Sequence, residues 1–108
     1  MSVKKFVKLF DQATATEDVV IDNVNGDSMS LAVNGSFTSL TLKVQGVDDN
    51  ENTVYNDIAA IKMSDFSICE TITAAGLYEV SIDALAKIKV SITAISGGNV
   101  TVTAKIMA

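Results

Sequence analysis

The sequence contains no histidine, tryptophan, proline or arginine, and it has a single cysteine, Cys69. Hydrolytic and transfer chemistry near neutral pH commonly uses a histidine, a cysteine beside a base, or a metal held by these side chains. Those arrangements cannot be assembled here, and no pair of carboxylates stands at a catalytic spacing. We therefore expect a protein that is not an enzyme, with no catalytic residue, no metal and no other cofactor. A lone cysteine is most simply a small buried hydrophobic residue.

The charge and hydropathy pattern narrows the possible partners. The net charge is −5, and the one basic cluster, Lys4, Lys5 and Lys8, is too short to indicate phosphate binding. No apolar run is long enough to span a bilayer. The N-terminus begins with charged residues and lacks the apolar core of a signal peptide. We expect no nucleic-acid partner, no membrane contact, and maturation in the cytoplasm of the producing cell.

The residue pattern predicts strands. Valine, isoleucine and threonine make up 33 of the 108 residues, and side chains branched at Cβ favour the pleated surface of a sheet. Apolar residues alternate with polar ones at a spacing typical of short strands, most clearly over residues 40–45, 87–93 and 100–106. Residues 54–75 fit either one helical turn or short strands, and we predict strands. The sequence thus predicts an all-β, antiparallel β-sandwich (jelly-roll or Ig-like) of seven to eight short strands.

Two local segments carry further predictions. Ser96-Gly97-Gly98-Asn99 predicts a tight hairpin between the last two strands, because glycines accept positive φ angles. Near the N-terminus, four apolar residues at i, i+3, i+4 and i+7 (Val3, Phe6, Val7 and Phe10) fit a helix, but an extended segment fits equally well. We predict an N-terminal arm and connector over residues 1–16, and a single sandwich domain over residues 17–108.

Two segments resemble ligand sites and have simpler explanations. Asp48, Asn50 and Asn52 copy the first ligands of a calcium loop, but Thr53 replaces the required glycine and Ala59 the final glutamate. A solvated hairpin tip is the expected structure there. Three aromatic residues, Tyr55, Phe66 and Tyr78, could form a sugar-binding platform, although packing in the core explains them better.

The C-terminal two thirds of the chain resembles a known class of proteins. The resemblance rests on Leu40-Thr-Leu-Lys-Val-Gln-Gly-Val-Asp-Asp, on Thr71-Ile-Thr-Ala-Ala-Gly-Leu-Tyr-Glu-Val-Ser-Ile, and on Ile88-Lys-Val-Ser-Ile-Thr-Ala-Ile-Ser-Gly-Gly-Asn-Val-Thr-Val. Over residues 38–106 this pattern resembles small structural proteins of tailed bacteriophages and prophages. It implies a virion protein made in the bacterial host cytoplasm, either a capsid decoration or head-fibre component or a minor tail piece, with capsid or tail proteins as partners.

The alternatives are a carbohydrate-binding module of a host-recognition (tail) apparatus and an adhesin-like domain, and the missing signal peptide disfavours the second. For attachment we expect an apolar interface with other protein copies, because large apolar side chains near the N-terminus are too hydrophobic to remain in water. The predicted interface residues are Val3, Phe6, Val7, Leu9 and Phe10, together with Ile95, an apolar residue that closes an alternating strand beside the Gly97-Gly98 turn and is expected to face a neighbouring subunit. By analogy with phage fibre and decoration proteins, the expected assembly is a homo-oligomer, with three copies as the expected number.

Overall fold

The structure, a computed structural model, describes residues 3–23, 26–47, 54–83 and 85–108, and for residues 54–56 it describes the backbone only. Ten strands and no helix occur within these ranges. The strands are β1 (Val3–Ala13), β2 (Glu17–Asp22), β3 (Ser28–Ser36), β4 (Ser39–Val47), β5 (Val54–Ile58), β6 (Ala60–Lys62), β7 (Ile68–Cys69), β8 (Gly76–Ser81), β9 (Lys87–Ser96) and β10 (Asn99–Met107). No segment of the described chain forms a helix that could cross a membrane.

The strands form two antiparallel sheets that face each other. The six-stranded sheet has the order β1-β10-β3-β8-β6-β7, and the four-stranded sheet has the order β2-β9-β4-β5. The prediction of an all-β antiparallel sandwich is confirmed. The described ranges contain ten strands rather than seven or eight, because the N-terminal segment is itself a strand and residues 54–69 contain three short ones.

Alternation along each strand builds a single core between the sheets. In β10, Val100, Val102, Ala104 and Ile106 are buried, while the residues between them are half-buried on the other face. In β9, Ile88, Val90 and Ile92 are buried in the same way, and both sets belong to one hydrophobic cluster. Burial of each large side chain contributes roughly 1.5–3 kcal/mol to folding.

Tyr78 belongs to this core. Its side chain is buried, and its hydroxyl donates a hydrogen bond of 2.7 Å to the carbonyl oxygen of Ala74. Burial raises the pKa of the Tyr78 hydroxyl above its ordinary value, because the phenolate would lose its hydration. The expectation of core packing is therefore confirmed for Tyr78, whereas Phe66 is exposed and the side chain of Tyr55 lies outside the described residues. Cys69 is half-buried against the core.

The Gly97-Gly98 segment is not the predicted hairpin. Strand β9 belongs to the four-stranded sheet and β10 to the six-stranded sheet, so the segment crosses from one sheet to the other. The β3–β4 connection crosses beside it, and the amide of Thr38 donates a hydrogen bond of 2.9 Å to the carbonyl oxygen of Ser96. Both glycines do have positive φ, as predicted, at 71° and 151°. A positive φ therefore indicates a tight connection, but it does not show whether the two connected strands pair with each other.

The N-terminal segment predicted as an arm is strand β1 of the six-stranded sheet. It pairs with β10 from Val3 to Ala13, so the extended alternative is the observed one. Three register shifts interrupt the pairing, and Gln12 has a positive φ of 52°. These irregularities break the two-residue period and bring Phe10 and Ala13, three residues apart, to the core side. Residues 3–13 are therefore part of the sandwich itself.

Candidate functional site

Exposed apolar side chains are concentrated on one side of the sandwich. Within the described part of the chain, the large hydrophobic residues with substantial exposure are Val3, Phe6, Ile61, Met63, Phe66, Ile68 and Leu77. Every one of them lies on a strand of the six-stranded sheet or in the turn between β6 and β7. A small domain does not usually leave so many large apolar residues on one side without a partner.

The pairing register places several of these residues on the outer face of the six-stranded sheet. Residues paired across neighbouring strands share a face, so the register identifies a row that runs from one edge to the other. That row is Phe6, Lys105, Ser30, Glu79, Ile61 and Ile68. A second row is Lys8, Thr103, Ala32 and Leu77. The first row is therefore apolar at both ends and polar in the middle, and the second row runs from a lysine on β1 to a leucine on β8.

A depression of about 360 Å³ lies on the outer face of the six-stranded sheet. Its lining residues are Ser28, Ser30, Met63, Leu77, Tyr78, Glu79 and Met107. Its walls expose more apolar than polar surface, and the volume is enough to receive an aromatic side chain from another molecule.

The turn between β6 and β7 holds a second apolar element in place. Asp65 accepts hydrogen bonds from the amide and the hydroxyl of Ser67, at 3.0 and 2.7 Å, and the Ser67 hydroxyl lowers the pKa of that carboxyl group. The amide of Phe66 donates to the carbonyl oxygen of Lys62 at 2.7 Å. Phe66 has a φ of 59°, a conformation that non-glycine residues rarely adopt. The turn presents Phe66 and Ile68 with 72% and 75% of their surface exposed.

The outer face of the four-stranded sheet is charged instead. Cross-strand ion pairs join Lys87 to Asp22 at 2.6 Å and Lys89 to Asp18 at 3.1 Å. The hydrogen bond from Lys87 lowers the pKa of the Asp22 carboxyl group. The two aspartate side chains are largely exposed and the two lysine side chains are partly exposed, so this face is suited to solvent. The two outer faces of the sandwich therefore differ in chemistry, because one exposes large apolar residues and the other exposes charged residues.

The structure brings together only part of the predicted interface. Val3 and Phe6 are exposed, at 53% and 65%, on the outer side of β1. Phe10 is 3% exposed and belongs to the core, so it is not available to a partner. The remaining three residues are half-buried: Val7, Leu9 and Ile95. Leu9 and Ile95 pack against the core.

Sequence reasoning missed the apolar residues at the other edge. Leu77 shares the outward side of its strand with Glu79, so the alternation around Tyr78 and Val80 already assigns it to the surface. Ile61 and Ile68 gave no comparable signal, because strands of three and two residues are too short to show a period.

No metal site is evident in the described ranges, which contain no group of three potential ligand side chains. The calcium-like segment of Asp48, Asn50 and Asn52 lies outside those ranges.

Comparisons with known proteins agree on the fold. A protein-family model described as XepA matches residues 4–106. The crystal structure of the SPBc2 prophage-derived protein YomS superposes with a TM-score of 0.85 at 19% identity, over 96% of this chain and 92% of that one. The PBSX exported protein XepA superposes with a TM-score of 0.85 at 14% identity, over 94% of this chain, which spans 37% of XepA. No curated protein sequence matches significantly.

Proposed function

This chain belongs to the XepA family, and from this membership and the surface chemistry we propose that it is a non-enzymatic structural protein of a phage particle. It attaches to the particle as a capsid decoration or head-fibre component, with capsid or tail proteins as partners. A prophage-derived protein and a PBSX protein share its fold, which supports a phage origin. The observation that carries the proposal is the contrast between the two outer faces.

That contrast matches what attachment requires. A particle component needs one adhesive surface and an exterior that stays hydrated. The exposed apolar residues lie on the six-stranded sheet and its β6–β7 turn, while cross-strand ion pairs lie on the outer face of the four-stranded sheet. Phe66 and Ile68 are the most exposed of the apolar residues, and we assign contact with the particle to them.

A second candidate function follows from the name of one relative. XepA of PBSX is named an exported protein. A protein that leaves the cell free of the particle would more simply act as a carbohydrate-binding module at a host surface, and the exposed ring of Phe66 would then stack on a sugar. The proposed location in the virion and this alternative differ in one observable, which is whether the protein co-purifies with phage particles.

A reconstitution experiment tests the attachment surface. Particles purified from a phage lacking this gene are mixed with the wild-type protein, with the double variant Phe66→Ser/Ile68→Ser, or with Lys43→Ser, and are then sedimented. Lys43 lies on the four-stranded sheet, where it pairs with Asp57 at 3.8 Å, and serves as the control. We expect the wild type and Lys43→Ser to sediment with the particles.

The double variant should bind at least about tenfold more weakly, because each buried apolar side chain contributes roughly 1.5–3 kcal/mol and about 1.4 kcal/mol is a factor of ten. Wild-type protein that stays in the supernatant would contradict the proposal. Binding of the wild type to a glycan array, with no binding to particles, would favour the second candidate instead.

A further inference from the structure

We infer that a polar groove on the outer face of the four-stranded sheet binds one uncharged sugar residue. The groove has a volume of about 360 Å³, and sites that hold small ligands commonly measure about 300–1,000 Å³. Its lining residues are Thr16, Glu17, Asp18, Gln45, Lys89, Ser91, Ile92 and Thr93. The inference goes beyond the proposed function, because this sheet is not the one to which particle contact is assigned.

The hydroxyl of Ser91 is the observation that indicates a ligand. Among the described residues Ser91 is the polar residue that is buried, at 8% exposed, and no hydrogen bond joins its side chain to another described group. No fully buried side-chain oxygen of the described chain lacks a partner, so the Ser91 hydroxyl still reaches the surface of the groove. Folded proteins rarely leave a nearly buried hydroxyl without a hydrogen bond from protein, water or ligand.

Three strands place further polar groups around Ser91. Asp18 on β2 lies directly opposite Ser91 on β9, and Lys89 on β9 lies opposite Gln45 on β4. Residues paired across strands share a face, and Lys89 and Ser91 are two positions apart, so all four side chains lie on the outer face. They form two neighbouring rows across the middle of the sheet.

These groups keep unused hydrogen-bonding capacity. Lys89 pairs with Asp18 at 3.1 Å, which leaves other N–H groups on the ammonium and other lone pairs on the carboxylate. The side-chain amide of Gln45 donates to Asp57 at 2.7 Å, which leaves the Gln45 carbonyl oxygen as an acceptor. The groove therefore offers donors and acceptors within the same few ångströms, and the Ser91 hydroxyl can act as either.

This mixture favours a sugar over other small ligands. An anion would meet the carboxylates of Glu17 and Asp18, and a cation would meet the ammonium group of Lys89. An apolar ligand would remove these charged groups from water without replacing their hydrogen bonds. A sugar hydroxyl donates and accepts at once, so adjacent hydroxyls on one ring can satisfy a carboxylate, an ammonium group and the Ser91 hydroxyl together.

An NMR titration of the isolated protein tests the inference. The probes are glucose, galactose, mannose, rhamnose and N-acetylglucosamine, each raised to about 10 mM, which nearly saturates a site with a Kd of about 1 mM. We expect at least one of them to shift the backbone amide signals of Lys89 and Ser91 and to leave that of Leu77 unchanged. Glucuronate, included as an anionic probe, should shift none of them.

A matched pair of serine variants assigns the site. Ser91→Ala should weaken the binding of that sugar about three- to tenfold, because one neutral hydrogen bond is lost. It should not lower the melting temperature, because the hydroxyl has no partner in the free protein. Ser30→Ala makes the same change on the outer face of the other sheet and should leave the affinity unaltered. Asp18→Ala should weaken binding at least about tenfold, because it removes a charged acceptor.

The inference is overturned if none of the uncharged sugars shifts the Lys89 and Ser91 signals, if glucuronate alone does so, or if Ser91→Ala binds as tightly as the wild type. Shifts confined to the residues around Phe66 would also overturn it, and would support the second candidate function instead. None of these measurements involves the particle, so a failure here is separate from a failure of particle attachment.

Discussion

Leu42→Ala is expected to lower the free energy of unfolding by about 2–5 kcal/mol, the range typical of a leucine removed from a packed core. Leu42 is completely buried in β4 between the two sheets. Its backbone exchanges two hydrogen bonds of 2.9 Å with Ile72, so the strand cannot easily move inward to fill the cavity. Val90 and Ile92, on the neighbouring strand β9, are equally central, and truncation to alanine should also be costly at both.

Urea denaturation measures this loss of stability. We expect the dependence of the free energy of unfolding on urea concentration to have the same slope in the variant as in the wild type. Ile68→Ala is a suitable control, because Ile68 is 75% exposed and its truncation should cost less than about 0.5 kcal/mol in the isolated chain. Similar losses for Leu42→Ala and Ile68→Ala would show that the inner and outer faces of the sandwich are wrongly assigned.

Gly98→Ala is expected to cost about 3 kcal/mol or more. A Cβ atom at Gly98 would overlap the carbonyl oxygen of Ser36, the last residue of β3, where the neighbouring crossing segment begins. The φ of 151° is also unfavourable for alanine. The overlap is with backbone rather than with a mobile side chain, so both crossing segments would have to separate to accept the change.

Gly76→Ala separates the two causes. Gly76 has nearly the same φ, 152°, but the nearest atom to an added Cβ is a Tyr78 ring carbon at an ordinary contact distance of 3.7 Å. This variant should lose only the conformational part, about 1–2 kcal/mol. If the two variants unfold at the same denaturant concentration, then close packing of the two crossing segments does not explain the requirement for glycine at position 98.

The sequence was most informative where one face of a strand is buried and the period is regular. In β10 the alternation from Val100 to Ile106 is uninterrupted, and burial follows it residue by residue. In β1 the register shifts bring Phe10 and Ala13 to the same side, which imitates a helical spacing. A bulge depends on pairing with a distant strand, so local sequence does not reveal it. The same is true of Gly97 and Gly98, whose φ values are local but whose strand partners are not.

The candidate surface was predictable at one edge only. Val3 and Phe6 stood out because they are large apolar residues in a lysine-rich segment, and the structure leaves both exposed. The opposite edge depends on β8, β6 and β7 lying side by side, and that order follows from long-range pairing. Only the folded chain shows that the two edges with exposed apolar residues belong to the same sheet.

The copy number of this protein in purified particles decides the claim that it is a component of a phage particle. Particles from a producing culture are banded on a density gradient, and quantitative mass spectrometry measures this chain relative to the major capsid protein in every fraction. We predict that the chain bands with the particles at a constant ratio across the peak, and that the ratio survives a second gradient. A chain found only in the particle-free fractions would contradict the claim.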